Sequence, residues 1–535
     1  MKLNQALTRK IIAVVLFIGT AVLLCSTADP IGVTWDEPAY IPASQSYANW
    51  MELLVKAPDL ALKPAIIDQF WSPNHEHPPV AKVLDGLAWK IATGVFHSSN
   101  ALISDRLGSM LMVAVLVALL YLLISERYGI PAGLFAAAGL LSMPRFFLHA
   151  HLASLDVPVT VMWFLFLFVF WKTVDRKGWA WGILWGFLWG LAVGTKLNGA
   201  FMFAAPLLWC LLFKRRWNLL ARFITTGFVA ILTFLGTWPW IYHRTWQRIL
   251  EYVSFHYNHY QIGQWYDGAF YLPPPWFYVF LVLWAVIPLT LLVTFLLGTI
   301  RGVRSTKNDN GLAWLMVVNA LVAILPFAFG KALLYDNDRL FMPVYPFLAA
   351  LAGIGFGWLL DGIRKILAGR VKPLLAGASG LLLGIALLLP QSLAAAKLYP
   401  HLLSYYSESV GGLPGATRMG LETTYWCETY VTALPYINAH ASPGDTIWTQ
   451  DWSFDVLKYY QKIGRLRSDV VVLTVGMGYF NFRNVDWYIF EYRQSQYGPP
   501  GEARYYPLQI LKTQTPVFEV VHQGVPLMKL YGHLK

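Results

Sequence analysis

Six short stretches of the sequence carry side chains able to move a proton or hold an anion. They are "TWDEPAY" with Asp36 and Glu37, "HEHPPVAK" with His75, Glu76, His77 and Lys82, "HAHLASLDVP" with Asp156, "GTKLNG" with Lys196, "FHYNHY" with His256 and His259, and "YDNDRLFMPVYP" with Arg339. A carboxylate can take a proton from a hydroxyl, and a lysine or arginine can hold a phosphate or another anion. Polar groups at the ends of apolar helices cost little, so each residue taken singly reads as a solvated cap or loop residue. What gives the six stretches meaning is whether the chain brings them to one face.

The elements that must do so are membrane helices. Of 535 residues 57% are hydrophobic and 13% charged, with repeated apolar runs of about 20 residues, enough to cross a bilayer core. The runs fall near 11 to 28, 107 to 124, 130 to 148, 157 to 172, 179 to 195, 199 to 213, 223 to 241, 276 to 300, 312 to 330, 340 to 360 and 373 to 392, which predicts eleven spans. Leu3 to Cys25 has basic flanks, but its apolar part is long and no small-residue cleavage site follows, so it reads as a retained first helix. Basic connectors such as Lys172/Arg176/Lys177, Lys214/Arg215/Arg216, Arg301/Arg304/Lys307 and Arg364/Lys365 all fall on one side if the spans alternate, and the positive-inside rule makes that side cytoplasmic. The net charge of +12 is therefore a topology signal and does not point to nucleic acid. All six reactive stretches then land outside, which predicts a multi-pass protein of the cell (inner) membrane with an extracytoplasmic site.

Two further regions belong to that outer face. Residues 29–106 alternate apolar and polar residues at helical spacing in "YANWMELLVK" and "WKIATGVF", which predicts interfacial helices. From about 395 the composition becomes that of a soluble chain, with turn signals such as "SPGDT" and β-like runs such as "DVVVLTV" and "PVFEVVHQ". The expected organisation is a transmembrane domain over 1–394 and a small extracytoplasmic α/β domain over 395–535. Cys25 and Cys210 lie in apolar runs and only Cys427 in a polar one, so no disulfide framework or cysteine metal site is expected. The pair Asp336-x-Asp338 reads as a polar turn.

The order Trp-Asp-Glu after the first span, His-Pro-Pro-x-x-Lys in the first outer segment, "SLDVP" at a helix start, "GLAVGTKLNG" and then "RLFMPVYPF" resembles the glycosyltransferase family 39 proteins over about 30 to 360. That family includes protein O-mannosyltransferases and bacterial aminoarabinose transferases. The resemblance implies an α-helical GT-C fold and a transferase whose donor is a sugar on a polyprenyl phosphate. It further implies an extracytoplasmic hydroxyl acceptor, on a protein, a glycolipid or a polysaccharide, and an inverting displacement.

Carried onto this sequence, the resemblance makes Asp36 the general base and Glu37 its orienting neighbour. Lys82 and Arg339 become the cations for the donor phosphate, with Lys196 a third; read alone, Lys82 is a snorkelling interfacial lysine. Asp156 matches an acidic position of the aminoarabinose transferases, yet "LDVP" also reads as an ordinary helix start with Asp as the cap. Glu76 and His256 match positions that hold a metal in those enzymes, and a divalent ion of the zinc kind suits such ligands, with the His-x-His pairs 75/77 and 149/151 as further supply. His77 stands where those enzymes have lysine before Pro-Pro, which moves the expected phosphate contact to Lys82. Two other classes fit a polytopic chain: a transporter, which would gather ionisable residues and broken helices at mid-membrane in a repeat, and a carrier-lipid binding subunit without catalysis.

Overall fold

The computed structural model describes residues 2–214, 218–258, 262–304, 310–329, 333–367, 373–450, 453–474, 485–496 and 514–532. All eleven apolar runs contain helix, but their lengths differ. Among the described residues seven helices are long and apolar enough to cross a bilayer: Gln5–Thr27, Ala101–Tyr128, Asp156–Thr173, Leu219–Gly236, Leu312–Phe329, Arg339–Leu367 and Ser379–Leu398. An eighth run is a pair, Tyr278–Val286 and Leu289–Arg304, bent by 116°. Its break has a local cause, because Ile287 precedes Pro288 and takes the extended conformation (ψ 127°) that a following proline imposes.

The other three runs give shorter helices, Ile130–Leu141, Ala180–Val193 and Leu197–Phe213. At 1.5 Å per residue, 14 residues reach only about 21 Å, so Ala180–Val193 needs a partner. Gly182, Gly186 and Gly190 recur every fourth residue along it and lie against the Asn218–Gly236 helix, where a Cβ at each would meet atoms of Arg222, Thr226 and Thr233 at 2.8, 2.6 and 2.5 Å. Small residues at this spacing let two membrane helices approach backbone to backbone.

The 29–106 segment folds into helices, as the periodicity predicts: Glu37–Lys56, Pro58–Ala61, Pro64–Trp71 and Val80–Gly94. Tyr40, Ser44, Tyr47 and Ala48 form a buried stripe of the first of these, and Gly86 of the last lies against the Ser44 carbonyl, where a Cβ would come within 2.0 Å.

After the Ser379–Leu398 helix the chain builds a five-stranded mixed sheet from β3 (Thr446–Trp448), β4 (Val471–Leu473), β5 (Trp487–Glu491), β6 (Phe518–His522) and β7 (Val525–Gly532), in the order β4-β3-β5-β7-β6. β3 runs parallel to β4 and β5, whereas β7 is antiparallel to β5 and β6. A two-stranded hairpin, β1 (Gln264–Tyr266) and β2 (Ala269–Tyr271), lies in the long 242–275 connector. The C-terminal region packs directly on the helices: one hydrophobic cluster runs from Met110 and Phe146 to Leu457 and Leu530. Trp35 N donates to Trp426 O (3.1 Å), Val33 N to the Tyr460 hydroxyl (2.6 Å), and the Tyr459 hydroxyl to Asp105 (2.7 Å).

Candidate active site

Asp36 and Glu37 open the Glu37–Lys56 helix, with Pro38 in its first turn. Successive residues of a helix point about 100° apart, and the two carboxylates have opposite fates. Glu37 is wholly buried and accepts five hydrogen bonds, from Arg106 Nε and Nη2 (both 2.7 Å), Thr34 N (2.9 Å), Thr34 Oγ1 (3.1 Å) and Ala153 N (3.0 Å). Its oxygens are committed to joining three segments. Asp36 is 19% exposed; one oxygen accepts from Arg339 Nη2, and Oδ1 has no partner among the described residues. Burial lifts the Asp36 carboxyl above its ordinary range, with Arg339 pulling the other way.

Arg339 is the hub of the centre. Its Nε donates to Asp156 Oδ2 (2.8 Å), its Nη1 to Asp336 Oδ2 (2.7 Å) and its Nη2 to Asp36. The Trp426 ring lies 4.0 Å from the guanidinium carbon, a cation–π distance. The second oxygen of Asp156 accepts from Lys196, and the second oxygen of Asp336 from Arg493 Nη2. Lys196, Asp156, Arg339, Asp336 and Arg493 thus alternate in charge along one chain, with Asp36 branching from its middle. Three carboxylates balance three cations, the condition under which so much charge can be buried. Asp156 does begin its helix, yet its side chain makes no capping bond; both oxygens go to the cations.

The segments meet through backbone bonds as well. Val80 N donates to Gly194 O (2.8 Å), tying "HPPVAK" to "GTKLNG", and Asn198 Nδ2 donates to Leu340 O (3.1 Å) beside Arg339. The expected polar turn at Asp336-x-Asp338 is present, but both of its aspartates are buried. Asp338 accepts from Arg145 Nη1 (2.8 Å) and from the Tyr345 hydroxyl. Asp336 and Asn337 have φ of 58° and 54°, a left-handed conformation that Asp and Asn tolerate better than most residues.

Lys82 forms a second, adjoining part of the site. It is only 1% exposed, so it does not snorkel. Its ammonium donates to Asn74 O (2.6 Å), Asn74 Oδ1 (2.7 Å) and His77 O (2.9 Å) and lies 5.2 Å from the Tyr47 ring centre. Burial, opposed by Glu76, pulls its pKa down to about 7. The His77 ring connects this part to the rest, with Tyr40, one turn after Asp36, 5.9 Å away and His256 6.2 Å away.

The histidines do not gather around a metal. Among the described residues no group of three or more His, Cys, Asp or Glu side chains is placed to hold an ion. Glu76 accepts from Asn74 Nδ2 (2.8 Å), and the His256 ring lies on Tyr252, with its Nδ1 at 2.9 Å from that residue's carbonyl. Among the described residues Glu76 and His256 are therefore not joined by a third such ligand. His75 packs on Trp240, His149 lies between Tyr425 and Trp426, and His151 bonds Thr27 Oγ1 (2.8 Å). His259 lies outside the described residues.

An apolar groove of about 510 Å³ lies between the helices of the 29–106 segment and the membrane helices, lined by Trp50, Leu54, Trp71, Leu84, Leu191 and Gly236. Trp71 stacks on Tyr47 at 4.2 Å, and Tyr47 is the ring under Lys82. The groove wall is thus one aromatic ring from the ammonium. Sequence reasoning missed Arg106, Asp336, Trp426 and Arg493. For Asp336 a signal existed in the charge density of "YDNDR" between two apolar runs; for the residues of the C-terminal region no motif marked them.

Long apolar helices, short helices that carry the charged centre and a small C-terminal sheet packed on them define a polytopic, mainly α-helical membrane protein. A family model described as dolichyl-phosphate-mannose-protein mannosyltransferase matches residues 76–243. The fold is similar to that of ArnT from Cupriavidus metallidurans bound to undecaprenyl phosphate, with 16% identity over 97% of each chain and a TM-score of 0.50. It is also similar to the archaeal oligosaccharyltransferase AglB from Archaeoglobus fulgidus in complex with an inhibitory peptide and a dolichol-phosphate, with 10% identity over 91% of this chain and 69% of that one and a TM-score of 0.51. No curated protein sequence matches the chain. The family model and the ordered motifs already described agree with a likeness to the glycosyltransferase family 39 proteins, and the solved structures show the same kind of fold.

Proposed function

We propose that this protein transfers a sugar from a polyprenyl-phosphate donor to a hydroxyl on the extracytoplasmic side of the membrane, with inversion at the anomeric carbon. The observation that carries the reading is the Asp36 carboxylate. It is held through one oxygen at the edge of a charge-balanced centre and has its other oxygen without a partner among the described residues, while the buried Lys82 stands one aromatic ring from an apolar groove. The matched family model's description and the undecaprenyl phosphate bound to ArnT support the donor class.

In this mechanism the acceptor hydroxyl donates its proton to Asp36 Oδ1 as its oxygen forms a bond to the anomeric carbon. The bond from that carbon to the phosphate oxygen breaks, and its electron pair leaves with the polyprenyl phosphate. A base placed this way contributes about 10² to 10⁴ in rate. The leaving group is already an anion, so cations suffice to stabilise its developing charge. Lys82 fills that role best, because its present acceptors are neutral carbonyl groups and a phosphate is a stronger partner. Arg339 and Lys196 are already paired with carboxylates and chiefly hold Asp36 and Asp156 in place. Glu37 shapes the loop and takes no part in proton transfer. The polyprenyl chain lies in the groove below Trp71. The positive-inside pattern puts this face, and the C-terminal region over it, outside the cytoplasm.

The test is donor choice. Purified protein is incubated with labelled undecaprenyl-phosphate hexoses or with nucleotide sugars, in the presence of cell-envelope acceptors. Sugar transfer from the lipid donor is expected, and transfer from nucleotide sugars alone would overturn the proposal.

A further inference from the structure

Arg493 is the one cation of the ion-pair chain supplied by the C-terminal region, just past β5. Its side chain is fully buried; Nη2 donates to Asp336, Nε and Nη1 meet no acceptor among the described residues, and the Trp35 ring lies 5.3 Å from its guanidinium carbon. The sheet holds it rigidly from both sides. Before it, Glu491 accepts from Cys427 N (3.0 Å) and Thr429 Oγ1 (3.2 Å), and Tyr492 N donates to Leu527 O (2.8 Å). After it, Ser495 N donates to Glu422 Oε1 (2.9 Å). A buried side chain held by this framework and spending its hydrogen bond on Asp336 is placed to act on the centre through that carboxylate.

Asp336 divides its two oxygens between Arg339 and Arg493. Without Arg493 its charge would be balanced by Arg339 alone, which it would then share more heavily with Asp36 while repelling the Asp36 carboxylate. We propose that Arg493 is a positioning residue for transfer: by neutralising Asp336 it leaves Arg339 able to hold Asp36 ionised, so that the C-terminal region governs how readily the base takes a proton. This rests on the reading of Asp36 as the base. The charged and titratable groups facing Asp36 are Arg339, Asp336 and Tyr335 from the segment that enters the Arg339 helix, Asp156 from its own helix, Lys196 from its turn and Tyr40 from the Asp36 helix. Asp336 is faced by Arg339 and Arg493, and more distantly by Glu422, Tyr425 and Cys427.

The sign of each perturbation follows from charge. Arg493→Gln leaves three carboxylates against two cations, makes the Asp36 carboxylate harder to keep ionised and raises the pH at which it protonates, by on the order of one pH unit. Asp336→Asn removes the opposing charge and lowers that pH; asparagine also tolerates the left-handed backbone at 336. In the double variant both charges are gone, and the midpoint returns towards that of the unmodified protein.

The readout is the infrared band of the protonated Asp36 carboxyl, followed against pH in the full-length protein in lipid nanodiscs and assigned as the aspartate band lost in Asp36→Asn. It needs no knowledge of the acceptor. A midpoint raised in Arg493→Gln, lowered in Asp336→Asn and restored in the double variant is the expected pattern. An unmoved midpoint in Arg493→Gln, or a double variant no nearer the unmodified protein, would overturn the proposal. If Arg493→Gln does not accumulate in membranes, Asp336→Asn decides alone, and an unmoved midpoint there overturns it equally. Turnover in Asp36→Asn separates the two readings: retained turnover withdraws the base, whereas lost turnover with unmoved midpoints withdraws only the role of Arg493.

Discussion

Replacing Glu37 by glutamine distinguishes a catalytic carboxylate from a structural one. The substitution keeps the shape of the side chain but removes the charge opposite Arg106, which is fully buried and also donates to Ile31 O (3.0 Å) and Gly32 O (2.7 Å). Those carbonyls are neutral and do not replace a carboxylate held by two bonds of 2.7 Å. Breaking a buried pair by removing one partner costs about 3–5 kcal/mol, and an amide that still accepts some of the five bonds places Glu37→Gln near the lower end, about 3 kcal/mol. Removing both charges, as in Glu37→Gln with Arg106→Met, costs less than the sum of the two single changes, since no uncompensated ion remains. The assay is thermal unfolding of the purified protein in nanodiscs, followed by cysteine accessibility: Cys25, Cys210 and Cys427 are free thiols, and the last two are buried. The melting temperature of Glu37→Gln should fall by several degrees, while turnover per folded molecule falls far less than in Asp36→Asn. A variant that melts like the unmodified protein yet has lost turnover would refute the structural reading and return Glu37 to the reaction.

Asp36→Asn should lower turnover by a factor on the order of 10² to 10⁴ while leaving donor binding nearly intact, checked by equilibrium binding of a labelled lipid donor. Lys82→Ala should weaken binding and turnover together, because the phosphate is charged in the ground state as well. Since burial brings the Lys82 ammonium to about 7, donor affinity should fall as pH rises through that value and the lysine loses its proton; affinity constant from pH 6 to 9 would remove Lys82 from the phosphate site. Gly236→Trp, at a groove position where an added Cβ meets nothing within 4 Å, should impair a long-chain donor more than a short-chain one in competition assays. For topology, cysteines at the exposed positions Asp267 and Asp469 should be labelled from outside intact cells and one at Arg301 should not.

What the sequence by itself determined was set by local physics. Length and hydropathy place the apolar helices because a bilayer demands them, and helical periodicity identifies the helices of the 29–106 segment, whereas the run 276 to 300 reads as one span although Pro288 breaks it. The six reactive stretches were legible as residue types at helix ends. Which of two adjacent carboxylates faces the centre was not, because that depends on where Arg106 arrives, 69 positions later. Asp336 reads as part of a polar turn until Arg339 and Arg493 close around it, and Arg493 lies 157 residues away in a region without any motif. Hydropathy and spacing describe a residue's neighbours along the chain, whereas the state of a buried charge is decided by the partners that desolvation forces upon it, and those partners are chosen only when the sheet docks onto the helices.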